Sequence, residues 1–199
     1  MATTYTERTV QTAPHANGHT TPQQEPAAPR GARVFGLLRI TIGSIFLWAF
    51  LDKLFALGFT TGRLESGGID FFGPDAWING ASPTEGFLAF GTKGPFAEFF
   101  QGLAGQAWVD WAFMGGLFLI GTALILGIGM RLAAIGGVTL LMSMYLASAI
   151  WPEHHPVVDD HVVYSIALIA MAYVGAGRYL GLGRRWEKTA LVKRYPVLK

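Results

Sequence analysis

The sequence predicts an all-α integral membrane protein, a four-helix bundle with both termini in the cytoplasm and a long outer loop between helices 1 and 2. Its residues are 51% hydrophobic and only 14% charged, whereas a soluble domain carries about 25% charge. The apolar residues fall into four segments, and a membrane-spanning helix needs about 20 such residues. These two observations define the fold class.

The predicted transmembrane domain covers residues 33–180. The preceding tail, residues 1–32, is polar and has no apolar face, so we expect it to be disordered. A basic cytoplasmic tail, residues 181–199, follows the domain. The four helices are predicted over residues 34–57, 108–129, 132–150 and 161–176.

The connections between these segments predict their arrangement. The second and third helices are joined only by Gly129-Met130-Arg131, so they form a tight hairpin. The fourth helix is short, and we expect Asp159 and Asp160 to form its N-terminal turn. Carboxylates are favourable there because the N-terminus is the positive end of the helix dipole.

Lysine and arginine indicate the orientation. Most of them lie in the two tails or in the turn between the second and third helices. The other two loops hold only Arg63 and Lys93, with Lys53 at their border. Because cytoplasmic segments are enriched in these residues, we expect a multi-pass protein of the cytoplasmic membrane.

The outer loop between helices 1 and 2 is too long to be a simple connection. It has about fifty residues, and structureless loops beyond roughly 15 are uncommon. It is rich in aromatic residues, glycine and proline. Residues 95–104 have their phenylalanines at helical spacing, which predicts a short amphipathic helix on the outer membrane surface or capping the bundle.

Composition excludes several classes of site. The chain has no cysteine, which excludes thiol relays, thiolate metal sites and cysteine-bound iron–sulfur clusters. No histidine lies deep in a predicted helix, so a haem between the helices would lack its usual histidine ligands. The net charge of +2 gives no reason to expect nucleic acid as a partner. The lipid bilayer is the partner that the composition predicts.

The first predicted helix contains three charged residues. A charge within a span costs about 2.5–3.5 kcal/mol even on insertion scales, so it needs an explanation. Arg39 can extend to the cytoplasmic headgroups or have a role inside the protein. Asp52 and Lys53 either lie at the interface or face the bundle and pair with groups from helices 3 and 4.

A polar segment, residues 151–161, lies at the outer end of the fourth helix. On that helix Tyr164 shares a face with Asp160 and His161, from which it is four and three positions away. Histidine exchanges protons near neutral pH, and tyrosine and lysine donate hydrogen bonds to carbonyl oxygens. Together with Asp52, Lys53 and Tyr145 at the same depth, this set suits a quinone headgroup.

Two other interpretations of the polar segment are open. His154, His155 and His161 with nearby carboxylates could bind a metal, since imidazole and carboxylate suit Zn, Cu or Fe. Their spacing matches no metal motif, and adjacent histidines do not easily reach one ion. The segment could equally be an ordinary hydrated loop at the interface.

Several motifs resemble those of the DoxX/DoxD family of four-helix membrane proteins. They are LLRITIG at residues 37–43 with DKL at 52–54, HPVVDDHVVY at 155–164, and GAGRYLGL at 175–182. The likeness covers roughly residues 33–188, and the long first loop resembles the DoxD type. The sequence departs from the family pattern just before Lys53, where it has WAFL, and at Gly183.

The resemblance implies a membrane oxidoreductase component that works with the quinone pool, because the family includes the membrane subunit of a thiosulfate:quinone oxidoreductase. It directs attention to Arg39, Lys53, Asp160, His161 and Tyr164. We predict that Lys53 and Tyr164 bind the quinone oxygens, and that His161, tuned by Asp160, moves protons. Arg39 would have a structural role or would assist a contact on the cytoplasmic side of the membrane. Thiosulfate fits less well, because the acidic outer loops repel a dianion.

Two other functions are compatible with the sequence. A non-catalytic scaffold or assembly factor would hold a soluble redox partner or a second oxidoreductase subunit at the membrane, and the aromatic outer loop favours this. A transporter of small solutes or lipids is disfavoured, because no predicted span has a proline break near its centre.

Overall fold

The structure, a computed structural model, describes residues 31–199. Within these residues the chain is helical and contains no β-strand, only an isolated bridge between Arg63 and Ile69. Residues 1–30, which make up most of the predicted polar tail, lie outside the described residues. The α-helices of the described part are α1 (Ala32–Phe55), α2 (Ala97–Gln101), α3 (Ala107–Leu126), α4 (Met130–Met144), α5 (Asp160–Tyr173), α6 (Gly183–Trp186) and α7 (Ala190–Arg194).

Three helices are long and apolar enough to cross a membrane, which indicates a membrane protein. They are Ala32–Phe55, Ala107–Leu126 and the segment Met130–Ser148, in which α4 continues into a π-helical turn. The fourth predicted span is the shorter apolar helix α5, of 14 residues. The sequence therefore located all four apolar helices.

The ends of these helices follow from backbone conformation. Helix α1 ends at Phe55, two residues before the predicted end, where Ala56 adopts a left-handed φ of 53°. Helix α3 ends at Leu126, three residues early, because Gly127 takes a left-handed φ of 73°. Glycine adopts this conformation without a steric penalty and so ends helices readily.

The four apolar helices pack one against the next. Helix α1 lies against α3, α3 against α4, and α4 against α5, with only a small contact between α1 and α5. A Cβ atom added at Gly121 would lie 2.7 Å from the backbone nitrogen of Leu47, and one at Gly137 would lie 2.6 Å from Leu168. Small residues thus let the helices approach closely within the bundle.

The long loop between α1 and α3 folds back over the ends of the helices. The amide of Phe72 donates to the carbonyl of Phe55 at 2.9 Å, and the amide of Lys93 donates to Ala147 at 2.9 Å. Helix α2 lies within the predicted amphipathic segment, and both its Phe99 and the preceding Phe96 are exposed. We call the side of the molecule covered by this loop the loop end.

The segment after α5 packs against the opposite side. The indole nitrogen of Trp186 donates to the carbonyl of Leu198, and the amide of Arg131 donates to the carbonyl of Lys199 at 3.0 Å. Residues 181–199, predicted as a basic tail, therefore form an ordered cover over the α3–α4 turn. We call this side the hairpin end.

Candidate functional site

A large cleft runs between α3 and α4. Its volume is about 1370 Å³, which exceeds the roughly 300–1,000 Å³ of ordinary small-molecule pockets. Trp108 and Ala123, near the two ends of α3, both line it, as do Gly129 and Ala147 on the α4 side. The cleft thus follows α3 over most of its length.

The two ends of the cleft differ in polarity. At the loop end it is lined by Lys53, Thr60, Arg63, Ser82 and Thr84. The ammonium of Lys53 donates to the hydroxyl of Thr60 at 3.0 Å, and Arg63 Nε donates to the carbonyl of Gly58 at 2.6 Å. At the hairpin end the lining is apolar and includes Ile128, Leu132, Trp186 and Leu198.

The walls between the two ends are apolar. Thr139 and Ser143 line the cleft, but their hydroxyls donate to the carbonyls of Ile135 and Thr139 in their own helix, at 2.9 and 2.8 Å. Their hydrogen-bonding capacity is therefore partly used within α4. The cleft has the shape and polarity of a site for an amphiphile with one polar end.

Asp110 holds the loop over the cleft. This residue is buried in the first turn of α3, and its Oδ1 accepts hydrogen bonds from Ser82 at 2.8 Å and Thr84 at 2.6 Å. The sequence motifs did not single out Asp110 for this role. A carboxylate at the start of an apolar helix was the available signal.

Asp52 stabilises the loop that follows α1. Its buried carboxylate accepts hydrogen bonds from the amides of Phe59 and Thr60, both at 2.9 Å, and from the Thr60 hydroxyl at 2.6 Å. Of the two alternatives for Asp52 and Lys53, pairing with helices 3 and 4 is not observed, because both side chains bind Thr60 in the loop that follows α1. Asp52 thereby places Thr60 next to Lys53.

Arg39 is fully buried and does not extend to lipid headgroups. Its guanidinium donates to the carbonyls of Leu124 and Ile125 at the end of α3, and of Tyr179 and Leu180 after α5. The C-terminus of α3 is the negative end of its dipole, which favours a cation there. Arg39 thus joins α1 to the end of α3 and to the segment after α5.

His161 binds a different carboxylate from the one predicted. Its Nδ1 lies 2.6 Å from Oδ2 of Asp159, and Oδ1 of Asp159 accepts from the Val162 amide at 3.2 Å as the N-cap of α5. Asp160 is exposed. The carboxylate that binds His161 is therefore Asp159 and not the predicted Asp160.

Tyr145 and Tyr164, which were also predicted to bind a quinone, contact other parts of the protein. The Tyr145 hydroxyl donates to the carbonyl of Val157 at 2.8 Å, and Tyr164 is partly buried against the apolar core. Of the residues predicted to bind a quinone, the cleft lining includes Lys53 but not Arg39, Asp52, Tyr145, Asp160, His161 or Tyr164.

The histidines of the polar segment do not converge. His155 Nδ1 faces the amides of Val157 and Val158, at 3.1 and 2.8 Å, and His154 is exposed. Across residues 31–199 no group of three or more histidine or carboxylate side chains is placed to hold a metal ion. The described residues thus give no support to the alternative of a metal site at His154, His155 and His161.

At the hairpin end, Arg178 forms an ion pair with Glu187. Its Nε lies 2.8 and 3.0 Å from the two carboxylate oxygens. This hydrogen bonding and the negative charge raise the pKa of Arg178 above its ordinary value. The pair connects the segment after α5 to the C-terminal end of α6.

Comparisons with protein-family models, with curated proteins and with solved structures find no match to the chain. The resemblance to the DoxX/DoxD family accordingly stays a prediction that rests on the sequence motifs.

Proposed function

We propose that the chain binds an isoprenoid quinone in the α3–α4 cleft and serves as the quinone-reacting membrane subunit of an oxidoreductase. The observation that carries this proposal is the cleft itself, which is apolar along its length and has a lysine at its loop end. An isoprenoid quinone has the matching form, a polar head with two carbonyls and a long apolar tail.

Lys53 is the residue that we assign to the quinone head. An ammonium carries three N–H donors, and Lys53 gives one to Thr60 at 3.0 Å. The other two N–H donors of Lys53 would donate to a carbonyl oxygen of the quinone head. Reduction of the quinone to quinol consumes two electrons and two protons. The proposal takes the electrons from a donor on a partner subunit or soluble redox partner, which is oxidised, and the protons from water at the loop end.

The proposal places α1, α3, α4 and α5 across the cytoplasmic membrane as a four-helix bundle with both termini in the cytoplasm. The distribution of lysine and arginine supports this orientation. Helix α5 has 14 residues and spans about 21 Å, less than the roughly 30 Å of the hydrocarbon core. A span of this length is accommodated by local thinning of the bilayer.

The placement of His161 changes its proposed role. Because His161 binds Asp159 and does not line the cleft, we assign it to positioning the start of α5. Thiosulfate stays one candidate electron donor. The exposed acids Glu65, Glu85 and Glu98 on the loop end argue against a dianion there.

A scaffold is the second candidate function, and the loop end carries the observation that favours it. Several of its aromatic side chains are largely exposed, with Phe90 at 90%, Trp151 at 76% and Phe99 at 66%. Exposed apolar patches of this kind mark protein or membrane contacts. A scaffold would bind a stoichiometric partner and no quinone.

The test is the quinone content of the protein purified in native-membrane nanodiscs, measured by extraction and mass spectrometry. We expect wild type and Lys93→Met to retain stoichiometric quinone. Lys93 is an exposed lysine of the loop between α1 and α3 that does not line the cleft, so it is the matched control. Lys53→Met should lose a charge-assisted hydrogen bond and retain about tenfold less. Wild type without quinone, or Lys53→Met with as much as wild type, would overturn the proposal.

A further inference from the structure

We infer that the isoprenoid tail runs down inside the cleft, past Gly116, to the hairpin end, and does not leave sideways into lipid. This inference rests on the proposed function. It adds where the tail lies and which residue controls its passage.

The first support is the extent of the cleft. A quinone head needs only the polar loop end, yet the cleft continues along α3 to Ile128 and Trp186. Helix α3 has 20 residues and is about 30 Å long, close to the thickness of the hydrocarbon core. The space beyond the head therefore has the length of a tail that crosses the membrane.

The second support is the glycine in the middle of the wall. Gly116 lies near the centre of α3 and lines the cleft, and a Cβ atom added there would have nothing within 4 Å. Across the cleft, a Cβ atom at Gly136 would make only ordinary contact with Ile120, at 3.6 Å. Gly121 and Gly137 differ, because Leu47 and Leu168 fill the space beside them. Helix packing explains those two glycines, whereas Gly116 faces the open space of the cleft.

Shape decides whether the tail stays in the cleft. Lipid is as apolar as the cleft walls, so moving the tail from lipid into the cleft yields no hydrophobic free energy. Occupancy then depends on close packing and free passage. A side chain at position 116 would block the tail without changing the polar loop end.

The test compares Gly116→Leu with Gly115→Leu in nanodiscs. Gly115 is the matched control, because its added Cβ also meets nothing within 4 Å but Gly115 does not line the cleft. The ligands are two quinones with the same head, one without a tail and one with a membrane-length tail. We expect Gly116→Leu to weaken binding of the long-tailed quinone at least about tenfold, equivalent to about 1.4 kcal/mol. The tailless quinone should bind both variants as it binds wild type.

A second measurement covers the case in which Gly116→Leu does not fold. A quinone with a photoreactive group at the end of its tail should label residues at the hairpin end, such as Ile128 and Leu132, in the wild-type protein. Labelling of lipid alone, or equal long-tail binding by both leucine variants, would overturn the inference and leave the proposed function intact. Failure of both quinones to bind wild type would instead overturn the proposed function.

Discussion

The guanidinium of Arg39 donates a hydrogen bond of 3.0 Å to the carbonyl oxygen of Leu180, 141 residues further along the chain. The same side chain binds Ile125 at the end of α3, also at 3.0 Å. One buried cation thus joins α1, α3 and the segment after α5 at the hairpin end. Its position explains how a charge is tolerated within an apolar helix.

Replacing Arg39 should destabilise the fold. Arg39→Leu leaves buried carbonyls without donors, each costing about 1–3 kcal/mol, so we expect a loss of about 3 kcal/mol or more. Arg39→Lys should restore little of this stability, because an ammonium lacks the planar set of N–H donors of a guanidinium. The melting temperature in detergent measures this, with the exposed Arg33→Leu as control. A melting temperature for Arg39→Leu equal to that of Arg33→Leu would contradict the structural role.

Asp52→Asn should loosen the loop that follows α1. The carboxylate accepts from two amides and a hydroxyl, and an amide group can supply only one acceptor oxygen. We expect the free energy of unfolding to fall by about 1–2 kcal/mol and proteolysis of residues 56–62 to become faster. Glu65→Gln, at an exposed acid of the same loop, should behave as wild type. Equal cleavage rates in the two variants would count against the assigned hydrogen bonds.

Asp110 and Thr84 should behave as one unit. Their side chains lie 2.6 Å apart and connect the loop to α3. Asp110→Ala and Thr84→Val should each increase hydrogen exchange in residues 82–88, and the double variant should exchange little faster than Asp110→Ala. Substitutions at two residues that share a hydrogen bond do not have additive effects on free energy. Additive effects on the free energy of opening would show that the two residues act independently.

The two adjacent acids before α5 should differ in importance. Asp159 is the N-cap and binds His161, so Asp159→Ala should cost about 1 kcal/mol or more. Asp160 is exposed, and Asp160→Ala should change stability by less than about 0.5 kcal/mol. Thermal melts of the two variants decide this. If Asp160→Ala lost more stability than Asp159→Ala, the result would support the sequence-based choice of Asp160 as the partner of His161.

The sequence predicted the helices well because hydropathy and glycine are local signals. The end of α3 at Leu126 follows from the conformation of Gly127, and the error of three residues reflects apolar residues that continue beyond the helix. The choice of Asp160 was wrong for a physical reason. Helical spacing relates residues within a helix, whereas Asp159 precedes the first turn and reaches His161 from its extended conformation.

The site was less predictable because it depends on contacts between distant segments. Gly116 and Gly121 look alike in the sequence, yet one faces open space and the other faces Leu47. The partners of Asp110, 26 and 28 residues earlier in the chain, carry no local signal either. Lys53 could be selected from the sequence because a lysine near the end of an apolar helix needs an explanation.

Photolabelling with a quinone that carries a reactive group on its head tests the central claim most directly. In native-membrane nanodiscs we expect adducts at the loop end of the cleft, on Lys53 and on residues near Thr84, and competition by unlabelled quinone. Adducts on His161 and Tyr164 in place of these, or labelling that unlabelled quinone does not reduce, would contradict a quinone site in the α3–α4 cleft.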